Sequence, residues 1–137
     1  MSILGGEFAL MLLISGKPAT IERLQQQLTE LEQPLSLTII SRTTQEPIEK
    51  PLQMAHVRVA AMDHPGIVHK VTEFFSQQQI NIKTLETNTS PAPHTGSPMF
   101  SLDAELQSPH SLKGLELAEK FDEFCQQLGL DGELTTL

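Results

Sequence analysis

The order in which two apolar periodicities follow each other along the chain limits its fold more than any other feature of the sequence. LQMAHVRVAAM (52–62), INIKTLETNT (80–89) and MFSLDAEL (99–106) alternate apolar and polar positions, as β-strands do, although the first slips near His56. GELTTL (132–137) predicts a closing strand. The apolar positions of the first strand are Met54, Val57 and Val59. Four strands are therefore expected after residue 51.

Two segments between these strands carry apolar residues at spacings of three and four, which is the helical period. The first stripe is Ile67, Val68, Val71, Phe74 and Phe75, and the second is Leu112, Leu115, Ala118, Phe121, Phe124, Cys125 and Leu128. The resulting order, βαββαβ, predicts an α+β fold of the ferredoxin-like class. In that fold a four-stranded antiparallel sheet carries two helices on one face, and its other face is left for something else to cover.

The start of the chain repeats only the second half of this pattern. EFALMLLI (7–14) is similar in pattern to the third strand, and KPATIERLQQQLTEL (17–31) is similar in pattern to the second helix. LSLTIISRT (35–43) predicts a closing strand. The apolar stripe of this helix is Ile21, Leu24, Leu28 and Leu31. The polar, proline-containing stretch TTQEPIEKP (43–51) has neither periodicity and reads as a linker.

We therefore expect a partial module at 1–43, of ββαβ or βαβ order, a linker at 44–51 and a complete domain at 52–137. A half module lacks the strand that would lie between its other two, which leaves a gap in its sheet. The two remaining strands could pair directly, a second chain could fill or cover the gap, or upstream residues could be missing. We favour a homodimer.

Charge and composition exclude some classes of function. Seventeen acids against nine bases give a net charge of −8, and the chain has no Trp or Tyr. Direct nucleic-acid binding is disfavoured, because it needs a basic face that releases counterions. The longest apolar run, FALMLLI (8–14), is too short to span a membrane and does not resemble a signal peptide, so we expect a cytoplasmic protein. Cys125 lies on a helix stripe, which favours a packed, inert thiol.

The strand-to-helix transition at Asp63–Gly66 has two interpretations. In the first it is structural: Pro65 suits a first helical turn, Asp63 accepts hydrogen bonds from free amides, and Gly66 permits close packing of helix on strand. In the second it is a ligand site. The helix N-terminus holds a carboxylate, Asp63 holds an ammonium group, and Gly66 lets the ligand approach the backbone.

Two longer stretches carry a resemblance to known proteins. VAAMDHPGIVHKVTEFFSQQQINIKTLETNT (59–89) resembles the ACT domain, a small regulatory module that binds amino acids. The hairpin PAPHTGSPMFSLDAEL (91–106) is similar to that of the glycine cleavage system transcriptional repressor family, whose members carry two ACT domains, and to the regulatory domain of formyltetrahydrofolate deformylase. The front half of the first module has no counterpart in this sequence.

The resemblance implies a non-enzymatic, amino-acid-sensing regulator. It would repress glycine cleavage genes by acting on a DNA-binding transcriptional activator, with no direct DNA contact, no membrane and no cofactor. In ACT modules the effector, here glycine or a similar small amino acid, lies between the strand-to-helix turn and a neighbouring module. Carried over, the expected ligand-binding residues are Asp63, His64, Pro65, Gly66, Ile67 and Val68, with Asn81 or Asn88. The alternative is an ACT-type dimerisation or interaction module that binds no ligand.

Other groupings of residues point less clearly to a function. His64, His69 and His94 with Asp63 are possible metal ligands. His64 and His69 are five residues apart, however, and this spacing does not put both on one face of a helix, so a metal site is not favoured. No Gly-x-Ser-x-Gly elbow accompanies the serines, so a hydrolase is not favoured. The acids at positions 116, 119, 122 and 123 form either a solvated helix face or a surface for a basic partner.

Overall fold

The computed structural model describes residues 1–45, 53–108 and 114–137, and of Leu115 the backbone only. The chain divides into two compact units, Met1–Pro47 and Ile48–Leu137. The division falls within the stretch predicted as a linker, of which residues 46–51 lie outside the described residues.

Over its described residues, the second unit contains four strands and two helices in the predicted order. The strands are β3 (Gln53–Met62), β4 (Asn81–Pro91), β5 (Pro98–Ser108) and β6 (Asp131–Thr136), and the helices are α2 (Ile67–Gln77) and α3 (Gly114–Leu128). The sheet order is β4-β5-β3-β6, and all three pairings are antiparallel. The first strand of the unit therefore lies between the third and the fourth, which confirms the α+β, ferredoxin-like fold.

One face of this sheet forms a core with both helices. Alternate residues of β5 are buried, and so are Val71 and Phe75 of α2 and Phe121 and Cys125 of α3. The rings of Phe75 and Phe121 stack with centroids 5.4 Å apart, which joins the two helices above the sheet. The buried β5 residues are Phe100, Leu102, Ala104 and Leu106, the apolar set of the alternation in MFSLDAEL.

The burial of β3 explains the slip in its alternation near His56. Met54 is out of phase with Val57 and Val59, and Ala55 is the buried residue at that end of the strand. The side-chain period of a strand is two, so Met54 shares the outer face with His56 and not the core face with Val57. Leu112 of the second predicted helical stripe lies outside the described residues.

The first unit consists of a short hairpin and a helix. β1 (Ser2–Leu4) pairs with β2 (Glu7–Ala9), and α1 spans Pro18–Leu35. The helix was predicted correctly, but the strand expected at 7–14 ends at Ala9, and no strand is assigned between α1 and residue 45. A strand exists only where a neighbour takes its backbone hydrogen bonds, and residues 10–14 and 36–43 have no such neighbour among the described residues of this unit. The partial module is thus ββα over its described residues.

No residue of 1–45 is buried, although this unit holds many large apolar side chains. Met11 is 94% exposed and Leu13 82% exposed. Ile21, Leu24 and Leu28 of the α1 stripe are half-buried, and Leu31 at its end is exposed. Over its described residues this unit has no core of its own. No helix in the described parts of the chain is both long and apolar enough to cross a bilayer.

Candidate functional site

The transition from β3 to α2 is a turn fixed at both ends. The Asp63 amide donates a hydrogen bond of 2.9 Å to the Pro98 carbonyl oxygen, which continues the β3–β5 ladder by one residue. Beyond the turn, Ile67 is 3% exposed and packs into the core as the first residue of α2. The four residues of the turn itself, Asp63–Gly66, are all exposed. The turn is therefore held in place by its flanks while its own surface faces solvent.

The N-terminus of α2 has no side-chain cap. Gly66 is the N-cap residue, and its carbonyl accepts the first helical hydrogen bond, from the Lys70 amide at 3.0 Å. In the described part of the chain no group accepts a hydrogen bond from the amides of the first three helical residues, 67–69. The capping role expected of Asp63 is therefore not observed, and Pro65 lies before the helix and not in its first turn. The helix end keeps free donors and its partial positive charge.

Gly66 is required by backbone conformation and not by packing. Its φ is 93° and its ψ is 0°, in the region that favours glycine. A Cβ built on Gly66 would meet no heavy atom within 4 Å, so the close helix–strand packing expected at this position is not observed. The open space in front of Gly66 leaves the free amides of α2 accessible to a small ligand.

Comparisons with known proteins bear on the fold of the chain. No protein-family profile matches the chain. A solved ACT domain protein from Streptococcus pneumoniae, 20% identical, superposes on 61% of this chain and 89% of its own with a TM-score of 0.52. The superposed part of this chain therefore has the fold of an ACT domain.

Two further proteins resemble this chain over nearly its whole length. The glycine cleavage system transcriptional repressor of Escherichia coli is 25% identical over 138 residues, which cover 100% of this chain and 73% of the repressor. A crystal structure assigned as a glycine cleavage system transcriptional repressor is 26% identical, with a TM-score of 0.70 over 89% of this chain and 69% of that one. The protein therefore resembles this repressor in sequence and in fold.

The ACT domain does not bring every expected ligand residue to the turn. Asn88 pairs with Ser101, which pairs with Ala60, two residues before the end of β3. Asn81 pairs with Gln107 at the other end of the sheet, opposite Met54. Met54 lies eight residues, or roughly 26 Å, along β3 from Met62, where the turn begins. Within one ACT domain Asn81 is therefore out of reach of a ligand at the turn.

The two polar side chains of the turn differ in their contacts. His64 Nδ1 lies 3.2 Å from the Pro65 carbonyl oxygen, so this ring can donate within the turn. Asp63 forms no ion pair with any described residue, and its carboxylate stays available to a cationic group beside the free amides of α2. Ile67 is buried, so only its backbone can face a ligand, whereas Val68 is 38% exposed. The turn thus offers backbone donors, one carboxylate and one small apolar side chain.

A second polar arrangement, not found from the sequence, lies on the uncovered face of the sheet. One row across all four strands runs Glu86, Asp103, Arg58 and Glu133. His56 Nε2 lies 2.7 Å from Asp103 Oδ1, and Arg58 Nε donates to Asp103 Oδ2 at 3.2 Å. The hydrogen bonds from His56 and Arg58 and their charges hold the pKa of Asp103 below its usual value, although slight burial opposes them. In the sequence these residues are only the polar positions of alternating strands.

Cys125 and the histidines offer no catalytic or metal-binding centre within the described residues. Burial, assisted by Asp122 and Asp131, raises the pKa of the Cys125 thiol to about 11, so it stays protonated at neutral pH. Among the residues described, no three His, Cys, Asp or Glu side chains converge to hold a metal ion. His69 lies 3.9 Å from Glu73 on the same helix, an exposed pair of small energetic weight.

Proposed function

We propose that this protein is an ACT-type regulator that senses a small amino acid, glycine or one of similar size, and represses glycine cleavage genes through contacts with another protein. The observation that carries the proposal is the uncapped N-terminus of α2 beside the unpaired Asp63 carboxylate. Free amides and a helix dipole favour an α-carboxylate, and Asp63 favours an α-ammonium group. The ligand site comprises Asp63, His64, Pro65, Gly66, Ile67 and Val68, with Asn88 as a further polar contact.

A second module completes this site in our proposal. Small-molecule sites usually bury about 70–90% of their ligand, and a turn as open as Asp63–Gly66 cannot do so alone. A facing module supplies the missing wall, and only from such a module could Asn81 reach the ligand. A homodimer provides that module. The exposed apolar run at 10–14, which includes Met11 and Leu13, supports self-association because it leaves a large apolar surface in water.

Repression without DNA contact is consistent with the charge of the chain. The net charge of −8 opposes binding to a phosphate backbone, so the protein acts on a DNA-binding transcriptional activator. The activator and its regulator must share a compartment, and we therefore propose a cytoplasmic location. The likeness to a transcriptional repressor and the protonated, buried Cys125 support a protein without enzymatic activity.

Calorimetry with glycine, serine and larger amino acids tests the sensor. Asp63→Ala should weaken binding about tenfold or more, because a hydrogen bond to a charged group contributes about 1.5–3 kcal/mol. Glu119→Ala, which removes an exposed acid from α3, is the matched control and should leave affinity unchanged. Equal heats from wild type and Asp63→Ala would remove Asp63 from the site. An absence of heat with every amino acid would leave a ligand-independent interaction module.

Sedimentation at several concentrations, with and without glycine, tests the dimer. We expect a dimer mass that Leu13→Lys reduces to that of the monomer. A monomer at all concentrations would contradict the facing module.

A further inference from the structure

The face of the four-stranded sheet opposite its two helices is polar and acidic. Its outward side chains include five carboxylates, namely Glu86, Asp103, Glu105, Asp131 and Glu133, and two permanent cations, Arg58 and Lys83. We call this set the outer acidic face. These seven groups sum to a net charge of −3. An antiparallel sheet can leave one face to solvent, so polarity alone does not make this face a binding surface.

The distribution of charge distinguishes the outer acidic face from an ordinary solvated sheet. Both cations are already paired, Arg58 with Asp103 at 3.2 Å and Lys83 with Glu105 at 3.1 Å. The other three carboxylates, Glu86, Asp131 and Glu133, have no cation within 4 Å among the described residues. The uncompensated charge therefore lies on the two outer strands, β4 and β6, on either side of a paired centre.

The shape of this face suits long cationic side chains. The row next to Glu86–Glu133 consists of Asn88, Ser101, Ala60 and Asp131, of which the two central residues are small. A depression of about 460 Å³ lies along these two rows. A Lys or Arg stem can pack over Ala60 and Ser101 while its head group reaches a carboxylate at the side.

We propose that the outer acidic face docks a protein surface rich in Lys and Arg, of the kind with which a DNA-binding protein contacts phosphates. The proposal rests on the function proposed above and names the surface that contacts the activator. Occupying that basic surface would compete with DNA for it.

Size and charge favour such a partner over a second copy of this chain. Four strands at about 4.8 Å spacing and about ten residues at 3.3 Å give an area of roughly 600 Å². A stable complex buries about 800 Å² on each partner, so this face suits a transient contact. Two copies face to face would oppose like charges, which is unfavourable.

Two matched variants of the full chain test the proposal, with a short synthetic peptide rich in Lys and Arg as the probe. Glu86→Gln with Glu133→Gln removes two charges from the outer acidic face, and Glu119→Gln with Glu123→Gln removes two from exposed positions of α3. Because both pairs have the same net charge, a difference between them reports position and not overall electrostatics. Affinity is measured by fluorescence anisotropy at low and at physiological ionic strength.

We expect the sheet pair to weaken peptide binding about tenfold and the α3 pair less than about twofold. In NMR titrations, amide shifts should concentrate on β3, β4, β5 and β6. Equal weakening by the two pairs, or shifts centred on α3, would overturn the proposal. So would a dimer mass that the sheet pair changes, or nuclear Overhauser contacts from residues 1–45 to this face.

The sheet pair should bind glycine as wild type does. That measurement separates a failure of the docking surface from a failure of the amino-acid site, because unchanged heats show an intact turn whatever the peptide does.

Discussion

Gly66→Ala tests the geometry of the strand-to-helix turn most directly. No heavy atom lies within 4 Å of the added Cβ, so the substitution causes no steric clash and its effect on stability comes from the backbone alone. A left-handed conformation costs an L-residue about 1–2 kcal/mol. The Gly66 φ of 93° is far beyond the left-handed minimum, near +57°, so we expect a loss at the upper end of that range, about 2 kcal/mol.

Gly129→Ala is the matched control. Gly129 also has a positive φ, 65°, and an added Cβ there would meet no heavy atom within 4 Å, but this φ lies close to the left-handed minimum. The expected loss at Gly129 is therefore about 1 kcal/mol. Urea unfolding followed by circular dichroism measures both, since the chain has no Trp or Tyr for fluorescence. If Gly66→Ala is no more destabilising than Gly129→Ala, the strained turn is refuted.

Ligand binding by the same variants separates strain from obstruction. The methyl group that Gly66→Ala introduces would stand in the open space before the α2 amides, so this substitution should weaken glycine binding. Gly66→Asn tolerates a left-handed backbone better, and should recover part of the lost stability while still blocking the ligand. If Gly66→Asn binds glycine as well as wild type, the ligand does not approach the backbone at this turn.

Three further outcomes follow from the core and the outer sheet face. A Cβ at Gly132 would overlap Cys125 Sγ and lie 2.9 Å from Phe121 Cε1, so Gly132→Ala should destabilise by about 1–3 kcal/mol in thermal unfolding, and less in a Cys125→Ala background. With its pKa raised to about 11, the Cys125 thiol should react with a maleimide only as fast as the protein opens, and rapidly in denaturant. The folded-state pKa of Asp103 is lowered, so its stabilisation is present above its ordinary pKa of 3.8 and is lost as the pH falls through the folded-state value. Asp103→Asn should therefore reduce the stability that is lost on acidification. For so exposed a group, the difference in the free energy of unfolding should be less than about 1 kcal/mol.

The fold of the second unit was predictable because most of its strands and helices bury one face against the same core. The alternation in MFSLDAEL matches four buried residues of β5, and the α2 stripe matches buried Ile67, Val71 and Phe75. The signal is weaker in β3, where the apolar Met54 is out of phase with Val57 and Val59 and the small Ala55 is buried. A sequence pattern is recognised mainly by its large apolar side chains, whereas burial depends on the alternation of side chains along the strand. A small residue on the inner face therefore contributes little to the pattern.

The position of the strand-to-helix turn was predictable from the sequence, but its geometry was not. The motif located the turn, yet it did not show that Gly66, and not Asp63 or Pro65, stands at the helix N-cap, or that the neighbouring space is open. Those facts depend on φ at one residue and on the path of the backbone. The row of side chains from Glu86 to Glu133 could not be predicted for a different reason. It crosses four strands, and the sequence does not show the register in which these strands pair.

The first unit shows what periodicity cannot provide. Residues 10–14 and 36–40 are as apolar as many core strands, yet they are not strands, because a strand needs a neighbour and not only a pattern. The α1 stripe at Ile21, Leu24 and Leu28 is only half-buried, because the described residues of this unit form no core against it. A unit with no buried residue among those described gains little hydrophobic stabilisation of its own. In the homodimer proposed above, the facing module would offer a surface to these apolar segments as well as to the open turn at Asp63–Gly66. On that proposal, self-association and ligand binding should be lost together when Leu13→Lys abolishes the dimer.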